Sequence, residues 1–170
     1  MAKLIIGIDN GVTGSIGFIS EDFTSFVLTP VRKEQNYTKK KDLISRVDSD
    51  TLSKMIIAAA THANASTSEC LAVLERPMLN PQRWAASISA ARALEATQVV
   101  LESYHIPYMF IDSKEWQRKV LPSGYSGSAE LKKASMDIGC RLYPQFSELI
   151  KKHKDADGLL IAHHAYREKY

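Results

Sequence analysis

The chain has 170 residues, of which 45% are hydrophobic and 24% are charged. This length is enough for one compact core and excludes two sizeable domains, so we expect residues 1–170 to form a single domain. Lys and Arg exceed Asp and Glu by 22 to 19, and the resulting net charge of +3 supports nucleic-acid binding only weakly. No apolar run is long enough to span a bilayer and the N-terminus lacks a signal-peptide layout. We therefore expect a cytoplasmic protein without a membrane partner.

The first half of the chain begins with apolar runs that turn residues separate. Such runs predict strands over 3–9, 15–20 and 25–29, arranged as an antiparallel meander. Residues 31–50 show no regular apolar pattern, which predicts a long loop or irregular insertion. Asp48 or Ser49 is expected to cap a helix over 51–62.

The polar segment 31–50 is also strongly basic. A charge run of this kind is usually a solvated surface. The functional alternative is an arm that contacts phosphates. Its basic residues are Arg32, Lys33, Lys39, Lys40, Lys41 and Arg46.

The second half of the chain alternates apolar strands with helical patterns. Strands are predicted over 68–74 and 107–111. Asn80 as N-cap and Pro81 at the first helical position predict a long alanine-rich helix to residue 104, and Ser128 is expected to cap a later helix. This order of elements predicts an α/β protein with a mixed five-stranded sheet and helices on both faces. The remaining helices are predicted over 113–121, 128–141 and 155–167.

Four carboxylates stand at the ends of predicted elements: Asp9, Glu75, Asp155 and Asp157. A charge that directly follows a buried strand is costly to desolvate unless a cation compensates it. If the strands before Asp9 and Glu75 are neighbours, these side chains meet at one sheet edge. Oxygen ligands select Mg²⁺ or Mn²⁺, and two such ions with DNA bound would clamp a phosphodiester for hydrolysis. The four acids therefore predict a metal-dependent nuclease centre.

Three sequence blocks carry a resemblance to a known family. They read GIDNG and TGSIG over 7–11 and 13–17, LAVLERP over 71–77, and KDADGLLIA over 154–162. In order and spacing they resemble the RuvC-type Holliday-junction resolvases of the ribonuclease H superfamily, closest to the bacteriophage members. The resemblance implies an RNase H-like fold, a homodimer, and magnesium-dependent paired nicks that resolve a four-way DNA junction. For a phage-encoded protein, the compartment would be the host cytoplasm.

The resemblance maps catalytic acids onto Asp9, Glu75 and Asp157, and is less direct for a fourth ligand. Many bacterial members place an Asp or His three residues before the last acid, and that position here is Lys154. We assign the fourth ligand to Asp155, with His153 as the second candidate.

The resemblance also suggests DNA-binding residues. Met78 is a candidate wedge between bases, and the alternative is a core methionine under a loop. Trp84 would stack on a base or, as we favour, pack in a core or dimer contact. We expect His163 and His164 to pack between helices and the alanine-rich helix to form the dimer seam. The predicted phosphate contacts are Arg76, Arg83, Lys114, Arg118 and Lys119.

Three other functions remain open at this point. Actin-like ATPases also begin with a Gly-Ile-Asp motif, but they need two lobes and about twice this length, so no nucleotide cofactor is expected. A YqgF-like ribonuclease that acts on structured RNA or hybrids shares the superfamily. A junction binder that has lost catalysis is the third alternative, and the intact acids argue against it.

Overall fold

The computed structural model describes residues 2–36 and 39–170. In chain order its strands are β1 (Leu4–Ile8), β2 (Ser15–Ile19), β3 (Thr24–Leu28), β4 (Val31–Gln35), β5 (Leu43–Val47), β6 (Cys70–Glu75) and β7 (Tyr108–Ile111). Its helices are α1 (Ser49–His62), α2 (Trp84–Ser103), α3 (Ser113–Val120), α4 (Ser128–Leu142), α5 (Ser147–His153) and α6 (Asp157–Arg167).

Five strands form one mixed sheet in the order β3-β2-β1-β6-β7. Strands β1, β2 and β3 pair antiparallel as a meander, whereas β6 runs parallel to β1 and to β7. The register pairs Ile8 with Leu74, so the residues that follow, Asp9 and Glu75, leave the sheet side by side. The predicted mixed five-stranded sheet is confirmed.

Helices cover both faces of this sheet, as predicted. On one face, Ile6 and Ile8 of β1 pack with buried residues of α1 and α2, among them Leu52 and Leu101. On the other face, Ile5 packs in a second core with residues of α3, α4 and α6. Successive side chains of one strand point to opposite faces of the sheet and thus belong to two different cores. None of the helices in the described ranges is both long and apolar enough to cross a membrane.

Helix α6 lies against β1 and β2 at a distance that only glycine permits. A Cβ atom on Gly7 would collide with the backbone of Gly158 and Ala162, and one on Gly17 would collide with the backbone of Leu159. Close packing of this kind leaves little room for sliding or tilting. The first turn of α6 is therefore held directly over the ends of β1 and β2.

The prediction of a loop over 31–50 is wrong, because strands β4 and β5 form an antiparallel hairpin there. Charged side chains occupy most exposed positions of this hairpin, so no apolar alternation reveals its strands. Arg32 and Arg46 face each other across it and both pair with Glu34, each at 2.8 Å. Cross-strand ion pairs thus accompany a backbone ladder that the hydrophobic pattern does not predict.

Several helix boundaries also differ from the predictions. Asp48 caps α1 as expected, accepting a hydrogen bond from Thr51 N at 3.2 Å. Asn80 instead caps a short 3₁₀ turn that precedes α2, and Ser128 is the first residue of α4 rather than its cap. Helix α5 was not predicted, and the last helix begins at residue 157 rather than 155. The errors lie at element ends, where local hydrogen bonding and tertiary packing set the boundary.

Candidate metal centre

The acidic side chains predicted from the sequence meet at the edge of the sheet where β1 and β6 end. Asp9, Asp155 and Asp157 each offer a carboxylate oxygen, and these oxygens all lie within 4.8 Å of one another. Asp9 comes from the strand end and the two others from the segment that opens α6. Residues almost 150 positions apart in the chain therefore form one cluster.

Glu75 adjoins this cluster through Asp9. Burial is the largest cause of a strongly raised pKa at Asp9, and the charge of Glu75 is the next largest. A hydrogen bond between the two carboxyl groups raises the pKa of Asp9 further. The indole Nε1 of Trp116 donates to Glu75 Oε1 at 3.3 Å and orients that carboxylate. Four carboxyl groups thus share one small volume.

Mutual repulsion and burial disfavour the charged forms of these acids. Burial, with the charge of Asp155 second, raises the pKa of Asp157 to about 7. Among the described residues, no Lys, Arg or His lies within ion-pair distance of Asp9, Glu75 or Asp157. The cluster therefore carries negative charge that the protein itself does not neutralise.

Asp155 is the exception, because Lys132 and His153 lie beside it. Lys132 Nζ lies 3.2 Å from its Oδ2, and His153 Nε2 lies 3.3 Å from its Oδ1. Burial opposes the charged form of Asp155, but the contacts with His153 and Lys132 outweigh burial and lower its pKa. Asp155 is thus held as a carboxylate beside the three other acids.

The backbone between α5 and α6 delivers Asp155 and Asp157 to the same place. Lys154 adopts a left-handed conformation with φ of 76°, which ends α5 and reverses the chain. Asp157 then opens α6, and its N–H faces Asp155 Oδ1 at 3.4 Å. Ala156 is the N-cap of α6, so Asp155 lies just before the helix and Asp157 in its first turn, and both carboxylates reach the cluster.

Hydroxyl groups from two other elements fix the start of α6. Ser135 Oγ of α4 accepts the N–H of Ala156 at 3.0 Å and donates to Asp157 Oδ1. Ser15 Oγ of β2 accepts the N–H of Gly158 at 3.1 Å. Backbone donors that lack a partner in the first turn of a helix need such acceptors. The two serines therefore position Asp157 against Asp9.

The fourth-ligand candidates take different positions. Lys154 is exposed on the left-handed turn, whereas Asp155 belongs to the cluster itself. His153 contacts Asp155 but is not itself a member of the cluster. These positions support our assignment of the fourth ligand to Asp155, which stays a prediction, as do the assignments of Asp9, Glu75 and Asp157.

Sequence reasoning did not assign a site role to four residues: Ser15, Trp116, Lys132 and Ser135. Ser135 had a signal, since it is a hydroxyl on the otherwise apolar face of α4. Trp116, which is fully buried, had none, because a buried indole reads as core. Lys132 and Ser15 are recognisable only once the contacts across elements are known.

The predicted DNA-binding residues are all exposed. They are Arg76, Met78, Arg83, Lys114, Arg118 and Lys119. Arg76 lies over the ring of Phe110 at 5.5 Å and 3.4 Å from Asp112. Lys119 shares a pocket with Arg167, at the far end of α6 from the acids. The structure therefore places Lys119 apart from the cluster.

Met78 and Trp84 are exposed on the part of the chain that follows β6. Met78 is 87% exposed and Trp84 is 70% exposed. The alternative of a core methionine is thus wrong, and so is core packing for Trp84. Large exposed apolar side chains are candidates for a binding surface. Contact with a base stays a prediction for Met78, and contact with a base or with a second protomer stays a prediction for Trp84.

The two adjacent histidines of α6 pack between helices, as predicted. His163 Nδ1 lies 2.7 Å from the hydroxyl of Tyr143, and His164 is buried. Neither belongs to the acidic cluster.

The donor set fits a hard divalent cation. Its atoms are carboxylate oxygens, which Mg²⁺ and Mn²⁺ prefer, and the cluster of described residues includes no Cys or His. Burial, and after it the neighbouring carboxylates, raises the pKa values of Asp9 and Asp157, and a bound cation would favour their charged forms. Asp9, Glu75, Asp155 and Asp157 are the residues that would hold it.

The fold is similar to those of solved junction resolvases. Thermus thermophilus RuvC in complex with a Holliday junction substrate matches with a TM-score of 0.54 and 15% identity, over 98% of this chain and 96% of that chain. A second Thermus thermophilus RuvC structure matches with a TM-score of 0.49 and 13% identity, over 98% and 96%. The yeast mitochondrial Holliday junction resolvase Ydc2 matches with a TM-score of 0.43 and 12% identity, over 98% and 80%.

The first of these similarities establishes that the chain has the RNase H-like fold of RuvC, as its sequence blocks predicted. No protein-family model and no curated protein sequence matches the chain. Any proposal about function therefore depends on the fold and on the acidic cluster rather than on sequence identity.

Proposed function

We propose that this protein is a divalent-metal-dependent endonuclease that resolves four-way DNA junctions by paired nicks. The observation that carries the proposal is the convergence of Asp9, Glu75, Asp155 and Asp157 at one sheet edge, in a fold shared with a RuvC that binds a Holliday junction. An acidic cluster alone does not define a nuclease, and a fold alone does not define a function. Together they support the proposed chemistry and the proposed class of substrate.

The chemistry that bound Mg²⁺ or Mn²⁺ supplies is activation of water and neutralisation of charge on the scissile phosphate. The protein's own residues prepare that site. Trp116 fixes one oxygen of Glu75, and Ser135 fixes one oxygen of Asp157. Lys132 balances the charge of Asp155 from outside the cluster. Such outer contacts hold ligand oxygens in place before substrate arrives.

The surface around the acids suits a nucleic acid. Arg76, Arg83 and Lys114 are exposed on segments that follow β6 and β7, the two strands on one side of β1. Their contacts with phosphates would make binding depend on salt concentration. Met78 and Trp84 offer apolar surface for an unstacked base.

We further propose a homodimer, with α2 as its seam. Three large apolar residues of α2 are exposed, namely Trp84, Ile88 and Val99. A two-fold axis beside this helix would present two acidic clusters to two symmetric strands of a junction, which is what paired nicks require.

The test is cleavage of matched substrates by the purified protein with Mg²⁺. The substrates are a mobile four-way DNA junction, a linear duplex of the same sequence, and an RNA–DNA hybrid. We expect symmetric nicks in the junction and at least tenfold slower cleavage of the other two. Preferential cleavage of the hybrid would support the YqgF-like ribonuclease instead, and saturable ATP binding by calorimetry would support the ATPase alternative.

A further inference from the structure

The hairpin of β4 and β5 concentrates the positive charge of the chain. Residues 31–47 contain six Lys or Arg and two acids, a net charge of +4. The whole chain has a net charge of +3, so all other residues together are slightly acidic. The basic character of this protein is therefore local, and a local field attracts a polyanion to one place.

The hairpin begins at the same edge of the sheet as the acidic cluster. The N–H of Asp9 donates to the carbonyl of Ser15 at 3.0 Å, and Ser15 pairs with Leu28 at the end of β3. Adjacent strands are about 4.8 Å apart, so the chain leaves β3 for the hairpin about 10 Å from Asp9. An object bound at the acids therefore lies within reach of the hairpin.

The base of the hairpin is anchored, whereas its outer part is exposed. Val47 is buried in the core, and Asp48 N donates to the carbonyl of Pro30 at 2.9 Å. Leu43, at the outer end of β5, is 67% exposed. Five residues per strand extend about 16 Å at about 3.3 Å per residue. Strand β5 also lies against α2, so the hairpin is fixed to the body of the protein while its outer side chains are exposed.

Its cations differ in whether they have acidic partners. Arg32 and Arg46 share Glu34 near the base. Lys33 donates to Ser45 Oγ at 2.7 Å, which is a neutral partner. Within the parts of the chain that the structure describes, Lys39, Lys40 and Lys41 have no ion-pair partner. The outermost charges are therefore those available to a ligand.

We infer that this hairpin is a DNA-binding arm, which contacts the sugar-phosphate backbone of a duplex arm next to the cleaved strand. This inference rests on the proposed function and extends it. A two-stranded ribbon fits the major groove, which is about 12 Å wide. Lysine contacts with phosphates position a protein on DNA without reading sequence. The arm thus supplies affinity and orientation, whereas the acids supply chemistry.

The test compares two triple variants that remove the same charge. Lys39→Gln/Lys40→Gln/Lys41→Gln changes the arm. Arg141→Gln/Arg167→Gln/Lys169→Gln changes exposed residues at the opposite ends of α4 and α6 from the acids. Junction affinity is measured without divalent ions over a range of salt concentrations, and cleavage is measured at saturating junction.

We expect the arm variant to bind the junction at least tenfold more weakly at about 0.1 M salt. Its salt dependence should also fall by about 2 to 3 in the slope of log K against log salt, since each phosphate contact contributes about 0.9. Its cleavage rate at saturating junction should stay within twofold of wild type. The control variant should change affinity less than threefold.

Three results would contradict the inference that the hairpin is a DNA-binding arm, while leaving the nuclease proposal intact. They are an unchanged salt slope in the arm variant, an equal loss in both variants, and a change of oligomeric state as the source of the loss. Failure of the wild-type protein to cleave any junction would instead refute the proposed function. The two failures are therefore distinguishable.

Discussion

The acidic cluster and the basic hairpin lie at the same end of the molecule but are built in opposite ways. The acids stand on buried elements, and glycines let α6 pack directly on β1 and β2. The hairpin is anchored at its base and packs through β5 against α2, and most of its side chains are exposed. Chemistry at the cluster therefore depends on positions fixed by packing, whereas binding by the hairpin depends on charge. Each prediction below perturbs one side of this contrast.

The largest effect is expected from removing a ligand charge. Asp9→Asn and Asp157→Asn should each slow junction cleavage at least about 10³-fold, equivalent to about 4 kcal/mol in the barrier. Junction affinity should stay within about threefold, because the phosphate contacts are elsewhere. Single-turnover cleavage and fluorescence anisotropy measure the two quantities. The control is Asp22→Asn in the exposed turn between β2 and β3, and nicking by Asp9→Asn near the wild-type rate would show that Asp9 is not a ligand.

The second prediction concerns the pH dependence of metal-free stability. Because the folded state raises the pKa of Asp157 to about 7, this group favours folding at low pH, and that contribution is lost as pH rises towards and through about 7. The resulting decrease in the free energy of unfolding is at most about 4 kcal/mol, from about three pK units at 1.36 kcal/mol each. Mg²⁺ should restore stability at pH 8 more than at pH 5.

The readout is thermal unfolding of wild type and Asp157→Asn between pH 5 and 8, without metal. The lowered pKa values of His163 and His164 act in the opposite direction in both proteins, so the difference between the two proteins reports Asp157 together with its effect on the pKa of Asp9. Asp157→Asn should be more stable than wild type at pH 8 and should lose the Mg²⁺ response. Equal pH profiles for the two proteins would contradict the repulsion that we describe.

The third prediction concerns the contact that positions α6. Gly17→Ala places a methyl group against the backbone of Leu159, so we expect destabilisation of about 2 to 3 kcal/mol from overpacking. Urea unfolding measures this free energy. Ser25→Ala on the neighbouring strand is the control and should change it by less than about 0.5 kcal/mol. A neutral effect of Gly17→Ala would mean that α6 lies further from the sheet.

The smallest effect is expected from loosening one ligand. Ser135→Ala removes the hydroxyl between Asp157 and the N–H of Ala156, and we expect about tenfold lower activity, the lower end for such outer contacts. The apparent affinity for Mg²⁺ in the cleavage assay should fall with it. Ser53→Ala in α1, which removes a hydroxyl bonded to the carbonyl of Asp50, is the control. Unchanged Mg²⁺ dependence in Ser135→Ala would exclude the positioning role.

The sequence predicted the sheet and the meeting of its acids because both follow from short-range patterns. Apolar runs that end in Asp9 and Glu75 identify buried parallel strands, and parallel neighbours bring their ends together. The hairpin was missed because its stability comes from pairing and anchoring rather than from an apolar face. Charged residues such as Arg32 and Arg46 conceal strands when their partners are other charges.

The supporting contacts of the site were not predictable in the same way. Ser135 and Lys132 are 20 or more residues from the acids that they touch, and nothing local marks their targets. A tryptophan in this segment is expected to lie in the core. Trp116 does lie there, yet its one polar atom donates a hydrogen bond to Glu75. Patterns identify the ligands of such a site, whereas contacts between distant elements identify what holds them.

The most direct test of the central claim is a crystal structure of the protein with a four-way junction and Mn²⁺, examined by anomalous scattering. We predict Mn²⁺ bound by oxygens of Asp9, Glu75 and Asp157, next to a phosphate of the junction. Mn²⁺ bound elsewhere, or DNA seated away from this sheet edge, would contradict the account.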